Sequence, residues 1–108
     1  MRDTITSGKI GTVYRTSADL SNLSPPETSF ADSHRMVNPD LAGGALLDLG
    51  IYALTWVFQT LYTTQTEPQP PSSVLGSIRK YKTGADEHTS MLLTFPRSSG
   101  CLLYTSLM

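Results

Sequence analysis

The segment that decides the fold reads GGALLDLGIY from Gly43 to Tyr52. It opens a stretch, residues 41–62, whose spacing predicts one long helix, and Asp40 is available as its N-cap. Apolar residues at alternating intervals of four and three share one face of this helix; they are Leu47, Ile51, Leu54, Phe58 and Leu61. We expect this face to lie on a sheet formed by the rest of the chain.

The opposite side of the predicted helix is apolar as well; it carries Ala45, Leu49, Ala53 and Trp56. A helix that is apolar nearly all round is normally buried on more than one side. The chain offers no further element as a second layer. Either the Trp56 side lacks a cover within these residues, or the loop at residues 21–39 lies against it.

A third stripe of the helix runs beside the apolar face; at about 100° per residue it holds Gly44, Asp48, Tyr52, Thr55 and Gln59. Asp48 and Tyr52 are therefore neighbours, one turn apart.

Short elements surround the predicted helix. Upstream, Ser7-Gly8-Lys9 is typical of a helix end, and residues 10–20 fit a strand, whereas residues 21–39 contain three prolines and are expected to be irregular. A proline-rich linker at 65–73 leads to three strands, Val74–Thr83, Glu87–Pro96 and Gly100–Leu107, with hairpin turns at 83–86 and 97–99. This order predicts an α+β fold, a predominantly antiparallel sheet with the long helix packed on one face.

Composition narrows the class of protein. Hydrophobic residues at 39% and charged residues at 16% indicate a globular chain. A net charge of -1 with scattered Lys and Arg leaves no basic footprint, so we expect no nucleic-acid partner. The single cysteine, Cys101, excludes an internal disulfide, and the first residues lack the apolar run of a signal peptide. A reducing, cytoplasmic setting is expected.

A small membrane-associated protein is one alternative, because residues 41–62 match the roughly 20 residues that a bilayer span requires. Asp48 would cost about 2.5 to 3.5 kcal/mol near the bilayer centre, and Thr55, Gln59 and Thr60 add polar load. We therefore expect no membrane partner.

The segment Gly43–Tyr52 closely resembles the G-G-x-L-x-D-x-G-x-[HY] signature of the Gfo/Idh/MocA oxidoreductases. Its tyrosine version is similar to the subgroup of dimeric dihydrodiol dehydrogenases and NADP-dependent D-xylose dehydrogenases. The flanks agree in order: residues 7–11 resemble the entry into the second domain, residues 38–41 the approach to the signature helix, and residues 83–86 the following hairpin. The resemblance therefore covers almost the whole chain.

This resemblance implies that residues 1–108 are part of the C-terminal substrate and dimerisation domain. The family's Rossmann domain, with its glycine-rich phosphate turn and E-K-P motif, has no counterpart in the sequence, which we expect to be a fragment. The implied function is NAD(P)-dependent oxidation of an aldose or a trans-dihydrodiol, with NADP in the intact family and no cofactor bound by this chain alone. The implied assembly is a homo-oligomer formed through the sheet. The alternative is a non-catalytic module that pairs with relatives through its sheet.

Oxidation of a carbinol requires proton transfer at its oxygen, and the resemblance assigns this role to Tyr52. Asp48 would orient Tyr52 or bind a substrate hydroxyl. Without a site, Tyr52 would be a core aromatic and Asp48 a polar residue near the helix start.

The remaining polar residues carry weaker signals. His34 and Arg35 could contact a sugar or a cofactor phosphate, or form a solvated loop pair, and we favour the solvated pair. His88 is interpreted as structural, and Cys101 as a small buried hydrophobe. No cluster has the spacing of metal ligands.

Overall fold

A computed structural model describes residues 1–105 of the chain, without the side chains of residue 99 and residues 101–105. The burial expected for Cys101 thus lies outside the described side chains. The helices are α1, Arg2–Thr6; α2, Pro26–Ser29; and α3, Ala45–Leu61, with a 3-10 turn at Pro39–Leu41. The strands are β1, Arg15–Asp19; β2, Ser73–Lys80; β3, Asp86–Phe95; and β4, Ser98–Thr105.

The four strands form one sheet in the order β1-β4-β3-β2. The β2–β3 and β3–β4 pairs are antiparallel, and β1 joins β4 in parallel. Parallel strands need a long connection, and here the loop, α3 and two strands lie between β1 and β4 in the chain. The predicted α+β fold with a predominantly antiparallel sheet and one long helix on a face is confirmed.

The ends of the elements differ from the predicted ones. The helix end expected at residues 7–9 is confirmed by α1, but the next strand begins at Arg15 rather than Ile10. Gly8 and Gly11 have φ of 77° and 76°, which turns the chain away from an extended path before β1 can start. The β2–β3 turn is where it was predicted, and β2 ends at Lys80 because Tyr81 N donates to Ala85 O at 2.8 Å across the turn.

The loop between β1 and α3 packs on the β2–β3 turn. Val37 is fully buried against Tyr81, and Phe30 and Met36 complete this small cluster. The Thr83 hydroxyl donates to the Val37 carbonyl, which fixes the loop further. Because the loop lies there, Trp56 remains 57% exposed, and the expected alternative of a loop covering Trp56 is not found.

An ion pair adds to the same attachment of the loop. Lys82 Nζ lies 3.1 Å from Asp32 Oδ1, and the hydrogen bond to that carboxylate raises the pKa of Lys82. Both side chains are exposed, so the pair contributes little to stability.

Helix α3 contacts the sheet with a face that coincides with the predicted one only in its second half, where Leu54, Phe58 and Leu61 pack in the core cluster as expected. Its buried residues are Ala45, Gly50, Ala53, Val57 and Leu61, and the last three pack on Leu93 and Phe95 of β3. Leu47 and Ile51, predicted to face the sheet, are exposed. The helix approaches the sheet closely at small residues: a Cβ on Gly100 of β4 would collide with Val57. The spacing of large apolar residues could not reveal this, because both sides of the helix are apolar.

The predicted N-cap of α3 is also wrong. Asp40 lies in the 3-10 turn, where Asn38 Oδ1 accepts a hydrogen bond from Asp40 N at 3.0 Å. This turn ends at Ala42, which has φ of 56°, and α3 starts three residues later with Gly44 as its cap residue. The glycine has no side chain with which to cap, so the helix takes an acceptor from elsewhere.

Candidate functional site

Asp48 and Tyr52 lie one turn apart on α3, on the side that faces away from the sheet. Tyr52 is 62% exposed, and the Asp48 side chain is 33% exposed. Within residues 1–105 the Tyr52 hydroxyl forms no hydrogen bond, and none joins it to Asp48. Tyr52 is therefore not a buried core aromatic of the described chain, and its hydroxyl is accessible.

Asp48 is held by Arg35 of the preceding loop rather than by Tyr52. Arg35 Nη1 lies 3.3 Å from Asp48 Oδ1, and Arg35 is 67% exposed. A pair this exposed contributes about 0 to 1 kcal/mol, so its effect is to orient Asp48. The solvated-pair interpretation missed this contact, because the two residues are 13 positions apart and only the folded loop joins them.

A shallow depression of about 240 Å³ lies beside Asp48 at the start of α3. Its lining includes Arg35, Met36, Leu41, Gly44, Leu47 and Asp48. Tyr52 is outside this depression. The described residues thus form an open depression that does not enclose a small molecule.

The exposed surface around Tyr52 is strongly apolar. Leu47, Ile51, Tyr52 and Trp56, which we call the outer face of α3, are each more than half exposed. Contiguous apolar surface of this kind marks an interaction site or a ligand groove. Asp48 thus lines the depression, and Tyr52, one turn away, belongs to the apolar outer face of α3.

The larger depression, of about 680 Å³, lies at the other end of α3 and contains neither Asp48 nor Tyr52. It lies between α1 and the end of α3, and its lining includes Thr60, Thr64, Gln65, Glu67 and Arg97. Its lining contains no residue of the signature segment 43–52, so it is separate from the depression beside Asp48.

The two glycines before α3 allow the backbone to pack closely. A Cβ on Gly43 would collide with the backbone of Arg35 and Asn38, and Gly43 N donates to Asn38 O at 2.9 Å. Gly44 has φ of 122° and lies against Asp86, whose Oδ2 accepts a hydrogen bond from Leu46 N at 2.7 Å. The two glycines are thus required where the loop, the β2–β3 turn and the start of α3 pack closely together.

The two histidines do not join the site. His34 Nδ1 accepts a hydrogen bond from Met36 N at 3.1 Å, and its ring lies 4.8 Å from that of Phe30. His88 Nε2 is hydrogen-bonded to Ser90 Oγ at 3.1 Å. No group of side chains in residues 1–105 has the composition of a metal site, and no helix in that range is long and apolar enough to span a bilayer.

The start of α3 is a poor fit to the phosphates of a dinucleotide. Phosphates bind at helix N-termini through free backbone amides. At α3 the Gly44 amide donates to Met36 O at 2.8 Å, and the Leu46 amide donates to Asp86 Oδ2 at 2.7 Å. Two amides are therefore engaged, and the carboxylate of Asp86 stands where an anion would bind.

A four-stranded, predominantly antiparallel sheet with one long helix on a face defines the chain as an α+β domain. The family model of the GFO/IDH/MocA C-terminal domain matches residues 1–108, and the chain belongs to this family. The resemblance noted in the signature segment is thereby confirmed.

Two curated relatives are similar to the chain. It is 58% identical over 102 residues to the D-xylose 1-dehydrogenase (NADP(+)) of Hypocrea jecorina, which covers 90% of this chain and 26% of that protein. It is 38% identical over 68 residues to the trans-1,2-dihydrobenzene-1,2-diol dehydrogenase of Sus scrofa, with 63% of this chain and 19% of that protein covered. The chain thus spans about a quarter or less of the length of these relatives.

Two solved structures share the fold. One comes from Klebsiella pneumoniae and matches 99% of this chain and 25% of its own, with a TM-score of 0.60 and 19% identity. The other, yhhX, matches 99% and 28%, with a TM-score of 0.56 and 16% identity. At this identity the likeness concerns the fold alone.

Proposed function

We propose that the chain is the substrate-facing part of an NADP-dependent dehydrogenase that acts on an aldose or a trans-dihydrodiol. The observation that carries the proposal is the exposed Tyr52 hydroxyl, one turn from an oriented Asp48 on the signature helix. The identity of 58% to a D-xylose dehydrogenase over nearly the whole chain supports it.

Tyr52 is proposed to exchange the proton of the reacting hydroxyl. A phenolic hydroxyl both donates and accepts hydrogen bonds, so it can bind the substrate oxygen in either direction of reaction. Its freedom from other hydrogen bonds within the described residues supports this role, because an occupied hydroxyl would first have to release its partner.

Asp48 is proposed to bind a second hydroxyl of the substrate. Both an aldose and a trans-dihydrodiol carry adjacent hydroxyls, and a carboxylate accepts hydrogen bonds from them. Arg35, at 3.3 Å, holds this carboxylate toward the depression without burying it. If Asp48 were only a polar surface residue near the helix start, it would not need to be oriented in this way.

The cofactor and the assembly complete the proposal. NADP is named for the Hypocrea jecorina relative. For this chain we propose that NADP is bound by residues outside 1–108, so that the chain alone is inactive.

We further propose that the protein acts in the cytoplasm and that copies associate through the sheet, whose strand β2 is exposed along its full length. The net charge of -1 gives nucleic acid no attraction.

A chimaera tests the proposed function. In it, residues 1–105 replace the matching segment of the Hypocrea jecorina D-xylose 1-dehydrogenase, which supplies the remainder of the enzyme. We expect NADP-dependent oxidation of D-xylose or of a trans-dihydrodiol, and the ratio of kcat/KM between them identifies the substrate class. A folded chimaera that oxidises neither contradicts the proposal, provided that the unaltered enzyme is active in the same assay.

A further inference from the structure

Helix α3 begins without a cap from its own residues. The first amides of a helix have no partner within it, and the usual solution is a side-chain oxygen from the cap residue. Here the cap residue is Gly44, and the acceptor comes from β3, 40 positions away: Leu46 N donates to Asp86 Oδ2 at 2.7 Å. A negative charge at this end of a helix also interacts favourably with the helix dipole.

Asp86 is itself held in place. The Thr89 hydroxyl donates to the same oxygen at 3.1 Å, and Thr89 is almost completely buried. Asp86 is the first residue of β3 and pairs with Lys80 of β2, directly after the turn on which the loop packs. The carboxylate is thus hydrogen-bonded to a side chain of the sheet as well as to the helix.

Gly44 has the backbone and the space that this contact requires. Its φ of 122° is one that L side chains rarely adopt, and a Cβ there would collide with Asp86 Oδ1. The second glycine of the signature segment therefore makes room for the carboxylate of the hairpin. The segments at residues 43–52 and 83–86 are therefore in direct contact through Gly44, Leu46 and Asp86.

We propose that Asp86 is a positioning residue, which ties the first turn of α3 to the sheet and so fixes where Asp48 and Tyr52 stand. Asp48 lies in that first turn. A shift of the turn would move it away from Arg35 and carry Tyr52 with it. This inference rests on the proposed function for the use made of the two side chains, but the attachment itself does not depend on it.

Hydrogen–deuterium exchange of the 108-residue chain at low micromolar concentration, resolved to the Leu46 amide by electron-transfer fragmentation, tests the attachment. Loss of a helix cap corresponds to about a tenfold change in an equilibrium, so Asp86→Ala should speed exchange at Leu46 about tenfold. Asp86→Asn retains an oxygen acceptor and should rescue most of the protection. Asp40→Ala, at the cap position that the sequence predicted, is the matched control and should leave the exchange rate of the Leu46 amide unchanged.

Unchanged exchange at Leu46 in Asp86→Ala would overturn the proposal, and so would an Asp86→Asn variant as fast as Asp86→Ala. If Asp86→Ala does not fold, Thr89→Val removes the hydroxyl that orients the carboxylate while keeping the shape of the side chain. It should speed exchange at Leu46 and leave the C-terminal half of α3 unchanged. Equal loss of protection along the whole helix would contradict local positioning.

Kinetics in the chimaera separate positioning from mere stability. Misplacement of reacting groups by about 1 Å can lower turnover by up to about a hundredfold. Asp86→Ala should therefore lower kcat about tenfold with an unchanged KM for NADP, and Asp86→Asn should restore most of kcat. Faster exchange at Leu46 with unchanged kcat would overturn the positioning role. A chimaera that is inactive before any substitution contradicts the proposed function, whereas the exchange at Leu46 still decides the attachment.

Discussion

At the scale of single residues, Tyr52 and Asp48 divide the proposed chemistry between them. Tyr52 is accessible and lacks a hydrogen-bond partner within residues 1–105, and Asp48 is oriented by Arg35. A group that exchanges a proton has to be free until substrate arrives, whereas a group that recognises a hydroxyl benefits from being fixed. The two environments match these two roles.

Replacement of Tyr52 by Phe in the active chimaera tests the proton transfer. The ring and its exposed position on α3 are kept, so stability should change little, while the only hydroxyl of the side chain is lost. General acid catalysis contributes about 10² to 10⁴-fold, and kcat should fall by this much. Turnover within about a factor of two of the parent, with chemistry limiting the rate, would show that the role is wrong.

Asp48→Asn should have a milder effect on the same chimaera. The amide keeps one hydrogen-bonding oxygen but loses the charge that pairs with Arg35. We expect KM for the sugar or diol to rise more than kcat falls, because the residue is proposed to bind a hydroxyl and not to move the proton. Arg35→Gln is the matched variant, since it removes the orienting charge and leaves the carboxylate. A loss of kcat as large as that of Tyr52→Phe would contradict this division of roles.

Helical spacing was sufficient to place Asp48 next to Tyr52, because both belong to one element. It could not predict that Arg35 holds Asp48 or that Asp86 caps the helix, since these partners lie 13 and 40 positions away and meet only in the folded chain. Asp40 was predicted as the cap because it is the acidic residue nearest in sequence to the helix start. Sequence patterns identify the nearest acidic residue, whereas the fold selects the one whose carboxylate reaches the amide.

At the scale of elements, the contact of α3 with the sheet depends on small residues. Ala53 on the helix and Gly100 on β4 let the two backbones approach, and Val57 fills the remaining space against Gly100. The existence of the helix follows from its apolar content, but its start does not: the predicted range begins at residue 41, whereas α3 begins at Ala45. With apolar residues on both sides, the spacing placed Leu54, Phe58 and Leu61 on the sheet correctly and Leu47 and Ile51 wrongly.

Gly100→Ala should therefore destabilise the domain. The added methyl group would collide with Val57, and overpacking of a filled core costs about 1 to 3 kcal/mol in the free energy of unfolding. Gly76→Ala on β2 is the matched control, because the nearest atoms to its Cβ are at 3.7 and 3.8 Å, an ordinary contact. Urea unfolding followed by circular dichroism measures both. Equal midpoints for the two variants would contradict the close approach of α3 and β4.

At the scale of the whole molecule, the described chain is an open layer. Its radius of gyration is 16.0 Å, and its extents are 48 × 23 × 18 Å. A compact domain of this length has a radius of gyration of about 13 Å. Both the outer face of α3 and the edge strand β2 are exposed. These are the two surfaces at which we expect the described chain to contact a partner.

The 108-residue chain should not bind NADP. A pyrophosphate binds well to free backbone amides at a helix N-terminus, but at α3 two of these amides are bonded to Met36 and Asp86, and the Asp86 carboxylate repels an anion. Isothermal titration calorimetry with NADP measures this, with the complete Hypocrea jecorina enzyme as the positive control. Binding of micromolar affinity to the chain alone would contradict the assignment of the cofactor to other polypeptide.

The isolated chain should self-associate, and the sheet should contribute more than the helix. All eight residues of β2 are exposed, among them Val74, Leu75 and Ile78, and an edge strand with unpaired amides and apolar side chains is a template for another strand. Sedimentation velocity over a range of concentrations should show species larger than a monomer. Leu75→Lys places a charge on this edge and should shift the distribution toward monomer, whereas Trp56→Lys, on the outer face of α3, should do so less. A monomer at every concentration would contradict association, and a larger effect of Trp56→Lys would move the contact from the sheet to the helix.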